Sequence, residues 1–134
     1  HPNTFSASPP AEATWVGWCV AGQAYSGFLR WAYNSWPANP LQDTRFTTWS
    51  AGDTFLVYPG NRSSVRFELL RDGIEDFEKI RILREKAKEG EAFQAFEAFL
   101  GEFTYDAVTK PGAAARMVAE GKKRLWELSV SLAE

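Results

Sequence analysis

The sequence has a single cysteine, Cys19, and a single histidine, His1, among its 134 residues. One cysteine cannot form a disulfide within the chain, and cysteine-based clusters or multi-histidine metal sites need more of these ligands than the chain holds. We therefore expect neither a metal nor a cofactor. Cys19 lies in an apolar run, which predicts a buried core cysteine rather than a reactive one.

The sequence also lacks long apolar runs and a dominant charge. No run approaches the ~20 residues that a membrane-spanning helix needs, and no signal-peptide pattern stands at the beginning. The formal net charge is −2, with acidic and basic residues interspersed, so no surface is expected to attract a phosphate backbone. We expect no membrane and no nucleic-acid partner. Because the first residue is not methionine, we interpret the chain as processed or as an excised fragment.

Common catalytic motifs are missing as well. There is no Gly-x-Ser-x-Gly, no His-Glu-x-x-His and no phosphate-binding glycine loop. Glycosidases usually place two carboxylates on either side of the scissile bond. The adjacent pair Glu75 and Asp76 and the helix pair Glu85 and Glu89 lie in polar surroundings typical of a solvated face. The sequence therefore offers no catalytic residue.

What the chain does contain is enough apolar material for one core, with 45% hydrophobic and 15% aromatic residues. Start signals and apolar spacings of three and four predict helices. The first runs from Pro9 to Gln23 with Ser8 as its cap, and the second from Ser63 or Ser64 to Gly90. Two more helices carry a stripe of phenylalanines and leucine within 93–103 and an apolar stripe within 114–132. Gly73, inside the second helix, predicts close packing of a neighbour.

The stretch from Gly27 to Trp36 predicts a β-strand. It is rich in aromatic residues, follows a glycine and ends in Asn-Ser-Trp-Pro. Both of its alternating faces are largely apolar, which is typical of a strand in a parallel sheet covered by helices. Residues 55–58 predict a second short strand. Together these segments indicate an α/β fold.

Arg30 is the one charged side chain in the predicted strand. A buried guanidinium is costly unless a carboxylate pairs with it. We expect Glu12 or Glu68 to be that partner, with direct contact to a substrate as the alternative role of Arg30.

Aromatic residues and hydrogen-bonding side chains are mixed in and after the predicted strand. Apolar ring faces beside polar groups suit a sugar, so this region predicts a carbohydrate pocket. The pocket candidates are Tyr33, Asn34, Trp36, Trp49 and Tyr58, with Asp43 and Asp53 close by in sequence. Trp15, Trp18 and Trp31 are predicted to be core residues. For Asn34 and Trp36 a scaffold role remains an equal alternative.

Three segments then resemble the C-terminal portion of glycoside hydrolase family 123, also described as domain of unknown function 4091. They are Gly-Phe-Leu-Arg-Trp-Ala-Tyr-Asn-Ser-Trp over residues 27–36, Gly-Asp-Thr-Phe-Leu-Val-Tyr-Pro-Gly over 52–60, and the stretch from Ser64 to Glu78. The segments 1–5 and 10–12 look like the part that precedes them. The resemblance covers about residues 1–85, and the last two helices carry no recognised motif.

The resemblance implies a fold and a layout. The chain would be the C-terminal portion of a (β/α)8 TIM-type barrel, helix-rich, with one or two short strands and two or three C-terminal helices. Residues 1–134 would form one region, with a family-like part over 1–89 and added helices over 90–134. The strand-end rule of such barrels would place Tyr33, Asn34 and Trp36 at the catalytic mouth.

The resemblance also implies a chemistry. Members of the family are retaining β-N-acetylgalactosaminidases that use substrate assistance, in which the 2-acetamido oxygen attacks the anomeric carbon. An Asp orients that group and a neighbouring Glu is the general acid; both would lie upstream of His1. This fragment alone would then be inactive and contribute only pocket residues.

The resemblance implies partners too. We expect a carbohydrate ligand such as an N-acetylgalactosamine-containing glycan, and either the remainder of the parent chain or a second copy. The parent is expected to be a bacterial protein that is secreted or periplasmic. Two rival functions remain open: a carbohydrate-binding module without catalysis, and a structural helical domain whose aromatic residues are all core. Burial of Trp36 and Trp49 without a cleft nearby would favour the structural domain.

Overall fold

Four α-helices make up the regular structure of the part of the chain that the computed structural model describes, residues 2–46, 48–87 and 89–132. They are α1 (Ala11–Gly22), α2 (Val65–Lys86), α3 (Glu91–Leu100) and α4 (Ala113–Ser131). The helices predicted from the apolar spacing are therefore confirmed, with ends displaced by a few residues. None of the described helices is long and apolar enough to cross a membrane.

The prediction of an α/β barrel portion is wrong. The described residues contain no sheet, and their only β pairings are isolated antiparallel bridges of Asn34 with Phe55 and of Tyr58 with Arg62. A strand needs a continuous ladder of hydrogen bonds to a neighbour, and beyond these bridges none of the described segments provides one. Leu29 is 89% exposed, so the segment 27–36 is not buried on both faces either.

Of the helix caps predicted for α1 and α2, the cap of α2 is confirmed and that of α1 is wrong. The Ser64 hydroxyl accepts a hydrogen bond from Phe67 N at 3.2 Å, as a helix cap should. In α1 the first residues follow Pro10 without a side-chain cap. The predicted cap Ser8 accepts instead from Phe5 N at 3.2 Å, so it stabilises a turn of the entry segment.

The core is built around α1, which packs against each of the other three helices. Trp15 and Trp18 are 2% and 0% exposed, which confirms their prediction as core residues. Both indoles contact Phe103: the ring centroids of Trp15 and Trp18 lie 5.8 and 5.3 Å from that of Phe103. Cys19 is buried as expected, and burial raises the pKa of its thiol. Because α1 is apolar on nearly all sides, it needs these three neighbouring helices to cover it.

Glycines allow α1 and α2 to touch backbone to backbone. A Cβ added to Gly73 would lie 2.6 Å from the carbonyl oxygen of Thr14, and one added to Gly17 would collide with the carbonyl of Gly73. Near this crossing Thr14 Oγ1 donates to Leu69 O at 2.9 Å. The close packing predicted from Gly73 is confirmed.

Gly17→Ala is expected to destabilise the protein, because the new methyl group meets backbone that cannot swing aside. The free energy of unfolding should fall by about 1–3 kcal/mol, as for other overpacked cores, and urea denaturation measures it. Gly27→Ala is the matched control, since no atom lies within 4 Å of its added Cβ. Equal stability of the two variants would contradict the close crossing of α1 and α2.

A buried carboxylate joins three helices. Asp76 of α2 is 2% exposed, and its Oδ2 accepts from Trp18 Nε1 at 3.0 Å and pairs with Lys122 Nζ at 2.8 Å. Lys79 Nζ lies 3.6 Å from Oδ1. A buried charge of this kind is tolerated only because cations and a donor surround it.

Asp76→Ala is expected to lower the free energy of unfolding by about 2–3 kcal/mol, since it leaves the buried indole N–H of Trp18 without an acceptor. Glu127→Ala is the control, because its pair with Lys123 is 3.9 Å long and exposed. The control should change stability by less than about 0.5 kcal/mol. Similar losses in both variants, measured by chemical denaturation, would argue against a special role for Asp76.

Candidate functional site

The predicted pocket residues all lie in the long connection between α1 and α2, and we call the exposed side chains of this connection the aromatic face. Here the segment around Tyr33 and Asn34 runs beside residues 54–57. Leu56 N donates to Tyr33 O at 2.8 Å, and Ser35 N donates to Thr54 O at 3.0 Å. These bonds hold the polar end of the predicted strand in place although residues 2–46 and 48–87 form no sheet.

Arg30 is paired, but not with the expected partner. Its Nη2 donates to Asp53 Oδ1 at 2.6 Å and to the Asp53 carbonyl at 2.5 Å. Glu12 accepts instead from Asn3 N at 2.8 Å, and Glu68 pairs with Arg71 at 2.9 Å. The prediction that a carboxylate reaches Arg30 is confirmed, and the choice of Glu12 or Glu68 is wrong, because a turn brings Asp53 from a segment that the helix pattern does not position.

Arg66 lies beneath this face. It is 7% exposed, and its Nη1 donates to Thr4 O at 2.6 Å and to Gly52 O at 2.7 Å. The guanidinium lies against the ring of Phe55, 5.3 Å from its centroid. Removal from water lowers the pKa of the Arg66 guanidinium, and the nearby Tyr58 phenol partly offsets this. Arg66 thus fastens the entry segment and the turn at Gly52 to the first turn of α2.

The aromatic side chains of this face are exposed. Trp31, Trp36 and Trp49 are 55%, 39% and 47% exposed, so the prediction that Trp31 is core is wrong. The rings of Trp31 and Trp49 touch, with centroids 4.9 Å apart. Trp36 is held by its Nε1, which donates to Val57 O at 2.8 Å. Tyr33 is 49% exposed and meets Phe67 edge-on at 5.9 Å.

Tyr58 lies beside a cleft of about 550 Å³ between the loop 40–45 and the turn 58–63. Its ring meets Phe55 at 5.2 Å. Across the cleft Arg45 donates hydrogen bonds to both carboxylate oxygens of Asp43, at 2.6 to 3.1 Å. These hydrogen bonds lower the pKa of Asp43 to about 2, so its carboxylate is ionised at neutral pH.

The five candidate residues therefore belong to the same connection but do not form one cavity. Tyr33, Asn34 and Trp36 follow each other on one segment, Trp49 lies against Trp31, and Tyr58 borders the cleft. Arg66 was not predicted from the sequence to belong to the site, and Asp53 was noted only for its closeness in sequence to the candidates. Their tertiary partners are far away in sequence, and no local pattern reveals them.

Asp43 and Asp53 are each held by an arginine at 2.6 Å. Among residues 2–46, 48–87 and 89–132, no three acidic, histidine or cysteine side chains are grouped as metal ligands. Exposed indoles, phenols and an amide beside fixed charges can instead hold a polar ligand that has an apolar face.

Comparison with known proteins decides the family. Residues 1–83 match the family described as glycoside hydrolase 123, catalytic domain. The chain belongs to glycoside hydrolase family 123. The residues that first suggested the resemblance, over 27–36, 52–60 and 64–78, all lie within the matched range. A search of curated proteins found no match to the chain.

The fold is similar to that of a solved family 123 glycoside hydrolase from Clostridium perfringens, one of six solved chains that match. The TM-score is 0.78 and the sequence identity 24%. The likeness covers 99% of this chain and 26% of that one, so α3 and α4 belong to the shared fold as well. The work on that protein concerns the hydrolysis of glycolipid glycans. The family 123 chain described here spans about a quarter of its length.

Arg66→Lys is expected to weaken the link between Thr4, Gly52 and α2. The lysine side chain is one bond shorter than the path to Arg66 Nη1, which donates to both carbonyls, and it lacks the flat guanidinium that lies against Phe55. The free energy of unfolding should fall by about 1–3 kcal/mol, the range for buried acceptors left unpaired. Arg71→Lys is the control, since Arg71 is 59% exposed and pairs only on the surface. Guanidinium denaturation of both variants measures the difference, and an Arg66→Lys protein as stable as the control would disprove the link.

Proposed function

We propose that this chain forms the sugar-binding face of a glycoside hydrolase catalytic domain that releases β-linked N-acetylhexosamine. Membership of family 123 supports the hydrolase, and the face between α1 and α2 supports the binding role. The observation that carries the proposal is the exposure of Tyr33, Trp36 and Trp49, between 39% and 49%. Large aromatic side chains kept in water beside polar groups suit the apolar C–H faces and the hydroxyls of a sugar.

Asn34 is the amide that we assign to the substrate. Its backbone is held by the bridge to Phe55, while its exposed side chain has no hydrogen-bond partner among the described residues. An amide carries both a donor and an acceptor, so it can bind a 2-acetamido group or a ring hydroxyl without moving the backbone.

The chemistry that we propose is substrate-assisted. The acetamido oxygen of the sugar attacks the anomeric carbon, an Asp stabilises the acetamido group, and a Glu gives its proton to the departing glycosidic oxygen. We assign both carboxylates to a part of the protein outside this chain, because Asp43 and Asp53, the acids on the aromatic face, are each held by an arginine. This chain would orient the sugar and exclude water around it.

A partner surface accompanies the binding face. Phe28 and Ile74 are 47% and 53% exposed and line an apolar groove together with Val16 and Leu70. Apolar patches of this kind usually mark contact surfaces. We propose that the remainder of the parent chain, or else a second copy, covers it, with residues 1–134 acting as one region. The similar Clostridium perfringens protein supports the first choice, since this chain matches only 26% of it.

A carbohydrate-binding module without catalysis is the second candidate. The observation that favours it is that the aromatic face offers binding groups and no free pair of carboxylates among the described residues. The third function, a structural helical domain, required Trp36 and Trp49 to be buried with no cleft nearby. Both residues are exposed and a cleft lies beside Tyr58, so this function is not supported.

Hydrolysis of aryl β-N-acetylgalactosaminide separates these candidates, measured beside other aryl glycosides with this chain and with the longest natural protein that contains it. Activity in the longer protein alone would support the proposal. Activity in the 134-residue chain would show that its own acids do the chemistry and would disprove our assignment of the carboxylates.

Asn34→Ala in the active protein is expected to lower kcat/KM by about tenfold, which corresponds to the loss of ~1.4 kcal/mol of transition-state binding. Gln94→Ala, which removes an exposed amide from α3, is the matched control and should leave the rate unchanged. Unchanged turnover in the folded Asn34 variant would remove this residue from the site.

A further inference from the structure

Helix α4 has two apolar sides. One is the buried stripe that packs against α1 and α3; it consists of Ala114, Val118, Gly121, Leu125 and Leu128. The other is a line of side chains spaced by four residues, Lys122, Trp126 and Val130, which are neighbours on the helix surface. Trp126 and Val130 are 66% and 40% exposed. This second side of α4 has no partner among the other described helices.

A groove of about 470 Å³ lies between the second side of α4 and helix α2. Leu83 and Leu125, which are 8% and 5% exposed, form its floor, and Ile82 and Trp126 lie at its more exposed rim. A volume of this size is in the range that holds a drug-sized group. The groove can therefore take apolar side chains from another segment.

One end of the groove is positively charged. Lys79 and Lys122 line it together with Asp76, the one acid among the described residues of the groove. The Asp76 carboxylate is already occupied, because its Oδ2 pairs with Lys122 Nζ at 2.8 Å and accepts from Trp18 Nε1 at 3.0 Å. Lys79 Nζ lies 3.6 Å from Oδ1, beyond hydrogen-bond distance, and its side chain is 58% exposed. Two ammonium groups against one carboxylate leave Lys79 able to pair with a further anion.

A second copy of this chain does not supply that anion. In a two-fold symmetric dimer the same patch meets itself, and the acid that this patch contains, Asp76, is 2% exposed and already paired. Two such patches would bring lysines of both copies together, and like charges across an interface are unfavourable. The occupant must therefore carry a carboxylate of its own next to apolar side chains.

The similar Clostridium perfringens protein indicates where such an occupant comes from. This chain matches only 26% of that protein, so most of a protein of that length is available to contact it. The family match covers residues 1–83 and leaves α4 out, whereas the structural likeness covers 99% of this chain and includes α4. A helix that belongs to the shared fold and keeps one apolar side open is suited to contact the rest of the parent chain.

We propose that the groove between α2 and α4 receives a segment of the parent chain that lies outside residues 1–134. An apolar side chain of that segment packs against Trp126 and Ile82, and a carboxylate beside it pairs with Lys79. This contact is separate from the groove at Phe28 and Ile74, which α2 forms with α1. It gives α4 the role of an anchor, and it does not depend on the hydrolysis of a glycoside.

Thiol labelling of the longest natural protein that contains this chain tests whether the groove is covered. Ser129→Cys places a thiol in the groove, and the matched control Ser131→Cys places one in the groove on the α3 side of α4. Cys19 is buried and should react slowly. We expect the Ser129→Cys protein to be labelled about tenfold or more slowly than the control, because a covered thiol reacts only when the structure opens locally. Mass spectrometry of the labelled peptides measures both rates.

Two results of this labelling would overturn the proposal. Equal rates in the two variants would show that the groove is open in the longer protein. Protection of the Ser129→Cys thiol that disappears when the protein is diluted would show that a second copy, and not the parent chain, fills the groove.

Lys79→Gln tests the charge pairing. Combined with Ser129→Cys in the longer protein, it should raise the labelling rate about two- to fivefold, as expected for the loss of a partly exposed ion pair. Lys123→Gln is the control, because Lys123 also makes a long surface pair, 3.9 Å from Glu127, but does not line the groove. The same rise with Lys123→Gln, or an equal rise at Ser131→Cys, would argue against a carboxylate at Lys79.

Carbodiimide cross-linking identifies the segment, since this reagent joins an ammonium group to a carboxylate in contact with it. In the longer protein Lys79 should be linked to an Asp or Glu outside residues 1–134, and mass spectrometry of the linked peptides locates that acid. Links of Lys79 only to acids within residues 1–134, such as Asp76 or Glu75, would refute the docking. None of these measurements uses hydrolysis, so the docking and the proposed glycosidase activity can fail separately.

Discussion

The hydrogen bonds of the Arg66 guanidinium are the interaction on which the aromatic face between α1 and α2 depends. The guanidinium reaches from the first turn of α2 to the carbonyls of Thr4 and Gly52 and lies against Phe55. These groups come from three separate stretches of chain that form no sheet among the described residues. Without ladder bonds, a buried multidentate donor is what can hold such segments together. The position of Asp53, one residue after Gly52, follows from that link.

The four helices are held together by different interactions, namely apolar burial and close backbone contact. Burial of Trp15, Trp18 and Phe103 and the glycine contact between α1 and α2 make a dense core in which a single added methyl group matters. This core presents the ends of α1 and α2 to the connection between them. The connection can therefore be irregular and still hold exposed side chains in place, as functional loops on rigid scaffolds do.

Side-chain roles were harder to predict than helices. Gly73 revealed its close contact because a glycine inside a helix weakens that helix and is usually kept where a neighbour packs against its backbone. Arg30 revealed its need for a carboxylate but not the identity of that carboxylate, since Asp53 reaches it through a turn. Trp31 was assigned to the core because the segment was expected to lie in a sheet. Without neighbouring strands the same alternation leaves its ring in water.

The sequence by itself determined the four helices, the core tryptophans of α1 and the family, because helical periodicity and family motifs are local properties of the chain. Only the tertiary structure decided that residues 27–36 form no strand, that Arg66 joins three segments, and that Asp53 lies between Arg30 and the indoles. The physical reason is that a strand, a buried ion pair and a binding face each need partners from distant parts of the sequence. Local patterns show the need for such partners, and folding decides which residues meet it.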